Sequence, residues 1–241
     1  MAHSSSTSRR IWSSAAAIAL VSVVTLGLAA CAPEPSAPNS AVTGAELPVA
    51  TGTAGAAHLD DGYLQVGTGA KVVDVYVDLM CPICGVFEET NGANLTELVD
   101  SGEITQRIHP MNFLNRASNG TDYSSRAAAA LTCVAASDEK LVLPYLSALF
   151  AEQPKENSDG LTDDELISIA EKVGATDVAD CVNAGTYITW VQSVNDKALS
   201  GPIEGADIEA VKGTPTVLVN GKSFPGAVND AAALEAFIAA N

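Results

Sequence analysis

Val72-Val73-Asp74-Val75-Tyr76-Val77-Asp78-Leu79-Met80-Cys81-Pro82-Ile83-Cys84 is the stretch whose reading decides the fold. Its first half is an apolar, β-branched run of the kind that forms a buried strand, bounded upstream by Gly69. A helical pattern begins near Val86. Cys81 therefore falls at a strand's end and a helix's first turn. There, unsatisfied backbone N–H groups and the positive end of the helix dipole favour a thiolate. Pro82 suits that place, because a proline at the first helical position lacks only an N–H that had no partner. Two thiols at this spacing can close a small, reducible disulfide. The stretch predicts a redox-active dithiol rather than a structural staple.

The flanking patterns alternate. Gly62–Val66 reads as a short edge strand, and Lys71–Leu79 as the strong buried one. Val86–Val99 reads as a helix ending at Gly102, and Ile104–His109 as a strand stopped by Pro110. A long helical block follows: Ser124–Ala136, Leu141–Glu152, Asp163–Val173, Val178–Ala184 and Ile188–Leu199. Thr162 caps the third of these, with Glu165 at the capping-box position. Strand character returns at Thr216–Val219, then Asn220-Gly221 signals a hairpin into Lys222–Phe224. Asn229 caps a last helix, Asp230–Ala240. Removing the block leaves strand–helix–strand, then hairpin–helix, which is an α/β sandwich with a mixed sheet. A C-x-x-C beside such a pattern reads as a thioredoxin-like redox motif.

Residues 1–30 read as an export signal. Arg9 and Arg10 form a basic n-region, and an uncharged apolar stretch runs from Ala15 to Ala30. Leu28-Ala29-Ala30-Cys31 resembles the bacterial lipobox, which implies that Cys31 becomes the lipid-modified first residue. The alternatives are an uncleaved anchor over Ile11–Ala30, about long enough to span a bilayer, and ordinary cleavage. Residues 31–58 are expected to be a disordered tether, being Ala, Pro, Ser, Gly and Thr with almost no large apolar residue. Such a coil would span roughly 30 Å. The folded domain is expected over 59–241, with its helical insertion at about 118–200.

Charge excludes some partners. Of 12 basic and 29 acidic residues, removal of Arg9 and Arg10 with the signal leaves 10 against 29, net −19. Such a surface argues against nucleic acid and against adhesion to anionic lipid by charge. The chain has five cysteines. Assigning Cys31 to lipid leaves four, an even number in an oxidising compartment, which permits three pairings. If Cys81 pairs with Cys84 by proximity, Cys133 and Cys181 are left for each other. That structural bridge would close a loop of about 48 residues, valued at roughly 4 kcal/mol by chain entropy. A second redox pair, or two free thiols, are the alternatives for Cys133 and Cys181. Trp190 is expected in the core of the insertion.

Asp78-Leu79-Met80-Cys81-Pro82-Ile83-Cys84, followed by Val86-Phe87-Glu88, resembles the active-site segment of the DsbA-like thiol–disulfide oxidoreductases. Val211-Lys212-Gly213-Thr214-Pro215-Thr216-Val217-Leu218-Val219-Asn220-Gly221 resembles their cis-proline segment. The resemblance covers about residues 60–241 and implies a thioredoxin fold, a mixed sheet flanked by helices, with an inserted all-helical subdomain. By that resemblance Cys81 is the exposed nucleophile and Cys84 the buried resolving thiol. Thr214–Pro215 is cis, lies against the disulfide and offers Thr214 backbone to a bound substrate strand; an ordinary trans proline opening a strand is the bland alternative.

The departures from the family pattern are specific. Ile83 stands where the strongest oxidants carry His, and Val75 where some relatives carry a buried acid. Asp78 reads as a solvated loop-end carboxylate. No cofactor is expected. A zinc site is disfavoured, because Cys133 and Cys181 stand apart and His3, His58 and His109 are not near a Cys in sequence.

The implied function is an extracytoplasmic, lipid-anchored oxidase, monomeric, that forms disulfides in exported proteins with free cysteines. A quinone-coupled membrane partner would re-oxidise it. The rivals are a reductase or isomerase of the same fold, and a binding lipoprotein whose C-x-x-C is an inert staple. Isomerases of this kind usually dimerise through an added N-terminal domain, where this chain has a low-complexity tether.

Overall fold

Alternation along the Val72–Val77 run puts Val73, Val75 and Val77 on one face of a central strand and Asp74 and Tyr76 on the other. The computed structural model describes residues 48–241. The expected signal over 1–30, the lipidation site Cys31, the alternative anchor Ile11–Ala30 and the tether as far as residue 47 lie outside the described residues. Among the described residues no helix is long and apolar enough to cross a membrane.

In chain order the elements are β1 (Thr53–Ala54), β2 (Ala57–His58), β3 (Tyr63–Val66), β4 (Lys71–Asp78), α1 (Pro82–Asp100) and β5 (Ile104–Met111). Then come α2 (Tyr123–Ser137), α3 (Val142–Ala151), α4 (Asp163–Lys172), α5 (Ala179–Asn183), α6 (Ile188–Ser200), β6 (Thr216–Val219), β7 (Lys222–Ser223) and α7 (Ala231–Ala240). The strands form one mixed sheet in the order β1-β2-β3-β5-β4-β6-β7. Only β4 and β5 run parallel, in register from Lys71 opposite Ile104 to Asp78 opposite Met111. This is a thioredoxin-like α/β fold with helices α2–α6 inserted between β5 and β6.

The two faces of β4 feed different clusters. Val73, Val75 and Val77 join the main core with Phe87, Leu95 and Val99 of α1 and Leu234 and Ile238 of α7. Tyr76 packs in a second cluster with Met111, Ala198, Val211 and Leu218. The insertion extends the main core through Leu131, Tyr145, Leu149, Leu166 and Trp190. Trp190 is fully buried, and its indole N–H donates to the Leu59 carbonyl at 2.8 Å, tying α6 to the chain before β3. The capping box is formed, Thr162 accepting from the Glu165 N–H while the Glu165 carboxylate accepts from the Thr162 N–H. Cys133 of α2 is disulfide-bonded to Cys181 of α5, with Cα atoms 6.0 Å apart.

Several boundaries differ from expectation, each for a local reason. Order begins inside the expected tether, because β1 and β2 add to the sheet and the Ala56 N–H donates to the Ala135 carbonyl of α2. Ala57 is small enough to be fully buried there, so a stretch poor in large apolar residues still packs. β3 is consequently interior, flanked by β2 and β5. Pro110 does not stop β5: the last β3 partner is Ile108, so the proline sits where one flank has no ladder to break. The last helix is capped by Asp230, whose carboxylate accepts from the Ala233 N–H at 3.0 Å, and not by Asn229. At the hairpin, Asn220 and Gly221 both take positive φ, 48° and 78°, as a two-residue primed turn requires.

The covalent link between α2 and α5 should be worth about 2–4 kcal/mol. Cys181→Ser is expected to lower the unfolding free energy by that amount in guanidinium titrations. Cys81 should keep its pH-dependent alkylation, since the bridge joins helices other than the one that carries it.

Candidate active site

Strand register brings the two sequence motifs together across 133 residues. β6 pairs antiparallel with β4, Thr216 opposite Tyr76. Two residues back along β6 and two forward along β4, Thr214 therefore arrives beside the end of β4, where the cysteine turn starts. The Thr214–Pro215 bond is cis. The Cys81 thiol donates to the Thr214 carbonyl at 3.4 Å. Both Cys81 and Cys84 are thiols here.

The turn itself is built by Asp78. Its carbonyl accepts the Cys81 N–H at 3.0 Å, while its carboxylate accepts the Met80 N–H at 2.9 Å. Helix α1 then starts at Pro82 with Cys81 as its N-cap residue. Cys84 lies one turn in and is fully buried.

The two sulfurs are electrostatically unequal. Cys81 is lowered to about 6, first by a hydrogen bond from the Cys84 thiol, then by Thr214 and the backbone N–H groups of Cys84 and Ile83, against the cost of burial. Cys84 is raised far above an ordinary thiol, chiefly by burial and by its bond to Cys81. Only one sulfur can hold charge at neutral pH, and it is Cys81.

Two expectations need correction. Asp78 is not a solvated loop-end carboxylate. It has no exposed surface, and it also accepts from Ser124 Oγ at 2.7 Å and from the Leu114 N–H at 3.0 Å. Burial pushes it up to about 6. Its depth follows from β4 running on to residue 78 beneath the β5–α2 connection and α2. Cys81, in turn, is less open than an exposed nucleophile, with 7% of its surface accessible. The Thr214–Pro215 segment contacts its sulfur, so access is from the side of Pro82 and Ile83, the latter 51% exposed.

Some supporting groups left no trace in the sequence. Gln153, just beyond α3, donates from Nε2 to the Leu79 carbonyl at 3.1 Å and to the Cys81 carbonyl at 2.9 Å. Ser124, at the start of α2, reaches Asp78. The insertion thus holds the cysteine turn from two sides, through contacts more than forty positions apart in sequence. Glu88, one helical turn beyond Cys84, is pushed up to about 7 by burial. A cavity of about 540 Å³ lies on the other face of the sheet, lined by Asp74, Tyr76, Arg107 and His109, and includes neither cysteine. Among the described residues no three acidic, His or Cys side chains are placed to hold a metal ion.

Residues 67–240 match the family model described as Thioredoxin. The reduced form of the disulfide bond oxidoreductase DsbG from Mycobacterium tuberculosis is 33% identical. It superimposes with a TM-score of 0.62, covering 73% of this chain and 85% of that one. DsbA from the same organism, also reduced, is 29% identical with a TM-score of 0.59, covering 74% and 98%. Among curated proteins, the serine/threonine-protein kinase PknE of Mycobacterium tuberculosis is 34% identical over 141 residues, 56% of this chain and 25% of the kinase. The chain thus spans about a quarter of the length of the curated relatives it matches.

The sulfur asymmetry sets a pH signature. Alkylation of the reduced protein should have its half-maximal rate near pH 6, read with iodoacetamide and by thiolate absorbance near 240 nm. The sign of the stability effect follows: the thiol is depressed in the folded state, so its contribution is fully present above the ordinary thiol value and is lost as pH falls through about 6. Reduced protein should therefore gain stability over oxidised protein as pH rises from 6 to 9. A half-maximal rate near pH 8.5, that of a free thiol, would contradict this. Gln153→Ala should cost about 1–2 kcal/mol by leaving the Leu79 carbonyl without its donor, the Cys81 carbonyl keeping the N–H groups of Cys84 and Gly85, measured by denaturant unfolding.

Proposed function

The chain belongs to the thioredoxin family, among the DsbA- and DsbG-like thiol–disulfide oxidoreductases, and we propose that it works as an oxidase on exported proteins through Cys81 and Cys84. The observation that carries this reading is the split between the two sulfurs. Cys81 is lowered to about 6 while Cys84 stays protonated. A stabilised thiolate is a good leaving group and favours the reduced pair, which makes the disulfide form an oxidant.

The reaction runs in two exchanges. A substrate thiolate attacks Cys81 Sγ in the Cys81–Cys84 disulfide, forming a mixed disulfide and expelling Cys84, which takes a proton. A second substrate thiolate attacks the substrate sulfur of that mixed disulfide, closes the substrate's own disulfide and expels Cys81 as thiolate. The substrate loses two electrons and two protons; the electrons reside on the cysteine pair, one proton on Cys84, and the other leaves to solvent. Thr214, whose carbonyl meets the Cys81 sulfur, and Pro215 after it are the proposed platform for the substrate backbone. Exposed Ile83 and Val86 on α1 offer apolar contact beside it.

Location and partners belong to the same proposal. The export signal over 1–30 and the lipobox-like Cys31 support a lipid-anchored domain on the extracytoplasmic face. The Cys133–Cys181 bridge suits an oxidising compartment. Turnover then requires a membrane partner that accepts two electrons, proposed to be quinone-coupled.

Two measurements test this. Equilibrated with glutathione, the pair should be clearly more oxidising than thioredoxin; a potential near −270 mV would instead make it a reductase. Cys84→Ser should accumulate mixed disulfides through Cys81 with exported proteins, and Cys81→Ser should accumulate none. If Cys84→Ser captures nothing, the C-x-x-C is an inert staple.

A further inference from the structure

We propose that Gln153 and Gly85 together set the cysteine turn for its chemistry: the Gln153 amide, reaching from the insertion, positions the Cys81 carbonyl, and residue 85 is glycine because any side chain there would expel that amide. Both act through the turn and are positioning residues. This rests on the reading of Cys81–Cys84 as the redox pair and deepens it.

The amide is held at both ends. Gln153 follows α3, which packs on α1, and its own N–H donates to the Phe150 carbonyl at 3.2 Å. Its side-chain Nε2 carries two hydrogens, given to the carbonyls of Leu79 at 3.1 Å and Cys81 at 2.9 Å. Both partners can only accept, so the amide must turn its NH2 end toward them. Among the described residues the Leu79 carbonyl has no other donor.

The other end of the amide explains Gly85. A Cβ on Gly85 would stand 2.5 Å from Gln153 Oε1 and 3.4 Å from its Cδ. Glycine in a helix is less favourable than alanine, because it has more conformational freedom to lose. Gly85 is not among the residues of positive φ, so the backbone does not require glycine there. What the position uses is the missing Cβ. The clash would fall on the far end of a flexible side chain, so an added methyl displaces the amide and leaves α1 standing.

The consequence reaches the sulfur through a shared acceptor. The Cys81 carbonyl takes Gln153 Nε2 at 2.9 Å, the Cys84 N–H at 3.0 Å and the Gly85 N–H at 3.2 Å. An oxygen with two lone pairs cannot hold three donors equally well. The Cys84 N–H also serves the Cys81 sulfur. With Gln153 on the carbonyl, that N–H is left to lean toward Sγ. Without Gln153 it closes on the carbonyl, and the thiolate loses part of a dipole.

The test compares Gln153→Met, Gly85→Ala and the double variant in the full chain. Methionine keeps the bulk of glutamine and removes its donors. The Cys81 midpoint, read by thiolate absorbance near 240 nm, should rise by about one pH unit in each single variant. At pH 7 the equilibrium constant against glutathione should then move about fivefold toward a weaker oxidant. The double variant should rise no further than Gln153→Met alone, since Gly85→Ala acts only by displacing the amide. A side chain that merely braced the fold would lower stability and leave the midpoint where it was. An unmoved or lowered midpoint in Gln153→Met, or an added rise in the double variant, overturns the inference. If Gln153→Met does not fold, Gly85→Ala decides alone, because it introduces a better helix former, and an unmoved midpoint there is equally fatal. Failure of the wild-type pair to exchange with glutathione would sink the oxidase reading instead, while the midpoints would still decide the role of Gln153.

Discussion

The antiparallel pairing of β6 on β4 is the interaction on which the site depends. Opposing Thr216 to Tyr76 fixes where Thr214 and Pro215 must lie, and that place is against the sulfur of Cys81. A slip of one residue would turn Val217 and Val219 out of the core and carry the Thr214 carbonyl away from the thiol. The register is protected by burial, since Val217, Leu218 and Val219 are all at most 4% exposed. It is also pinned by the Asn220-Gly221 turn and by the Asn220 side chain, which accepts from the Val72 N–H at 2.8 Å. Packing a strand and assembling the chemistry are here one event.

The Cys81 thiolate is stabilised entirely by neutral dipoles. Ile83 supplies no charge where a cationic ring would have stood, and what remains is the Cys84 thiol, Thr214 and two backbone N–H groups. Dipoles held in a partly dry site are little screened by salt, whereas a surface cation would be. The arrangement suits a protein with a large negative net charge, because attraction to the site does not have to overcome the field of the surface.

Much of this was legible in the sequence, and the limits have physical causes. The β4 run, the C-x-x-C, the Thr-Pro segment, the Asn-Gly hairpin and the capping box at Thr162 are local signals, each carried by a few adjacent residues. They were enough to give the mixed sheet and the helical insertion. What sequence could not carry is depth. Asp78 looks like any loop-end acid until Ser124 and Leu114 close over it. Gln153 looks like an exposed loop residue until its amide meets two carbonyls of the cysteine turn. β1 and β2 were hidden because two-residue strands of Ala, Thr and His have no period to detect; they exist because the sheet edge and α2 supply their hydrogen bonds.

The insertion is therefore more than a passenger between β5 and β6. Through Ser124 it holds the carboxylate beneath the turn, and through Gln153 it holds the carbonyls of the turn itself. Without it, Asp78 would lose the Ser124 donor and the burial that pushes its carboxyl up. Helix α1 and the Thr214 segment supply the dipoles that stabilise the Cys81 thiolate, while the inserted helices hold the turn that carries it. The disulfide between α2 and α5, remote from the reacting atoms, constrains the helix that carries Ser124.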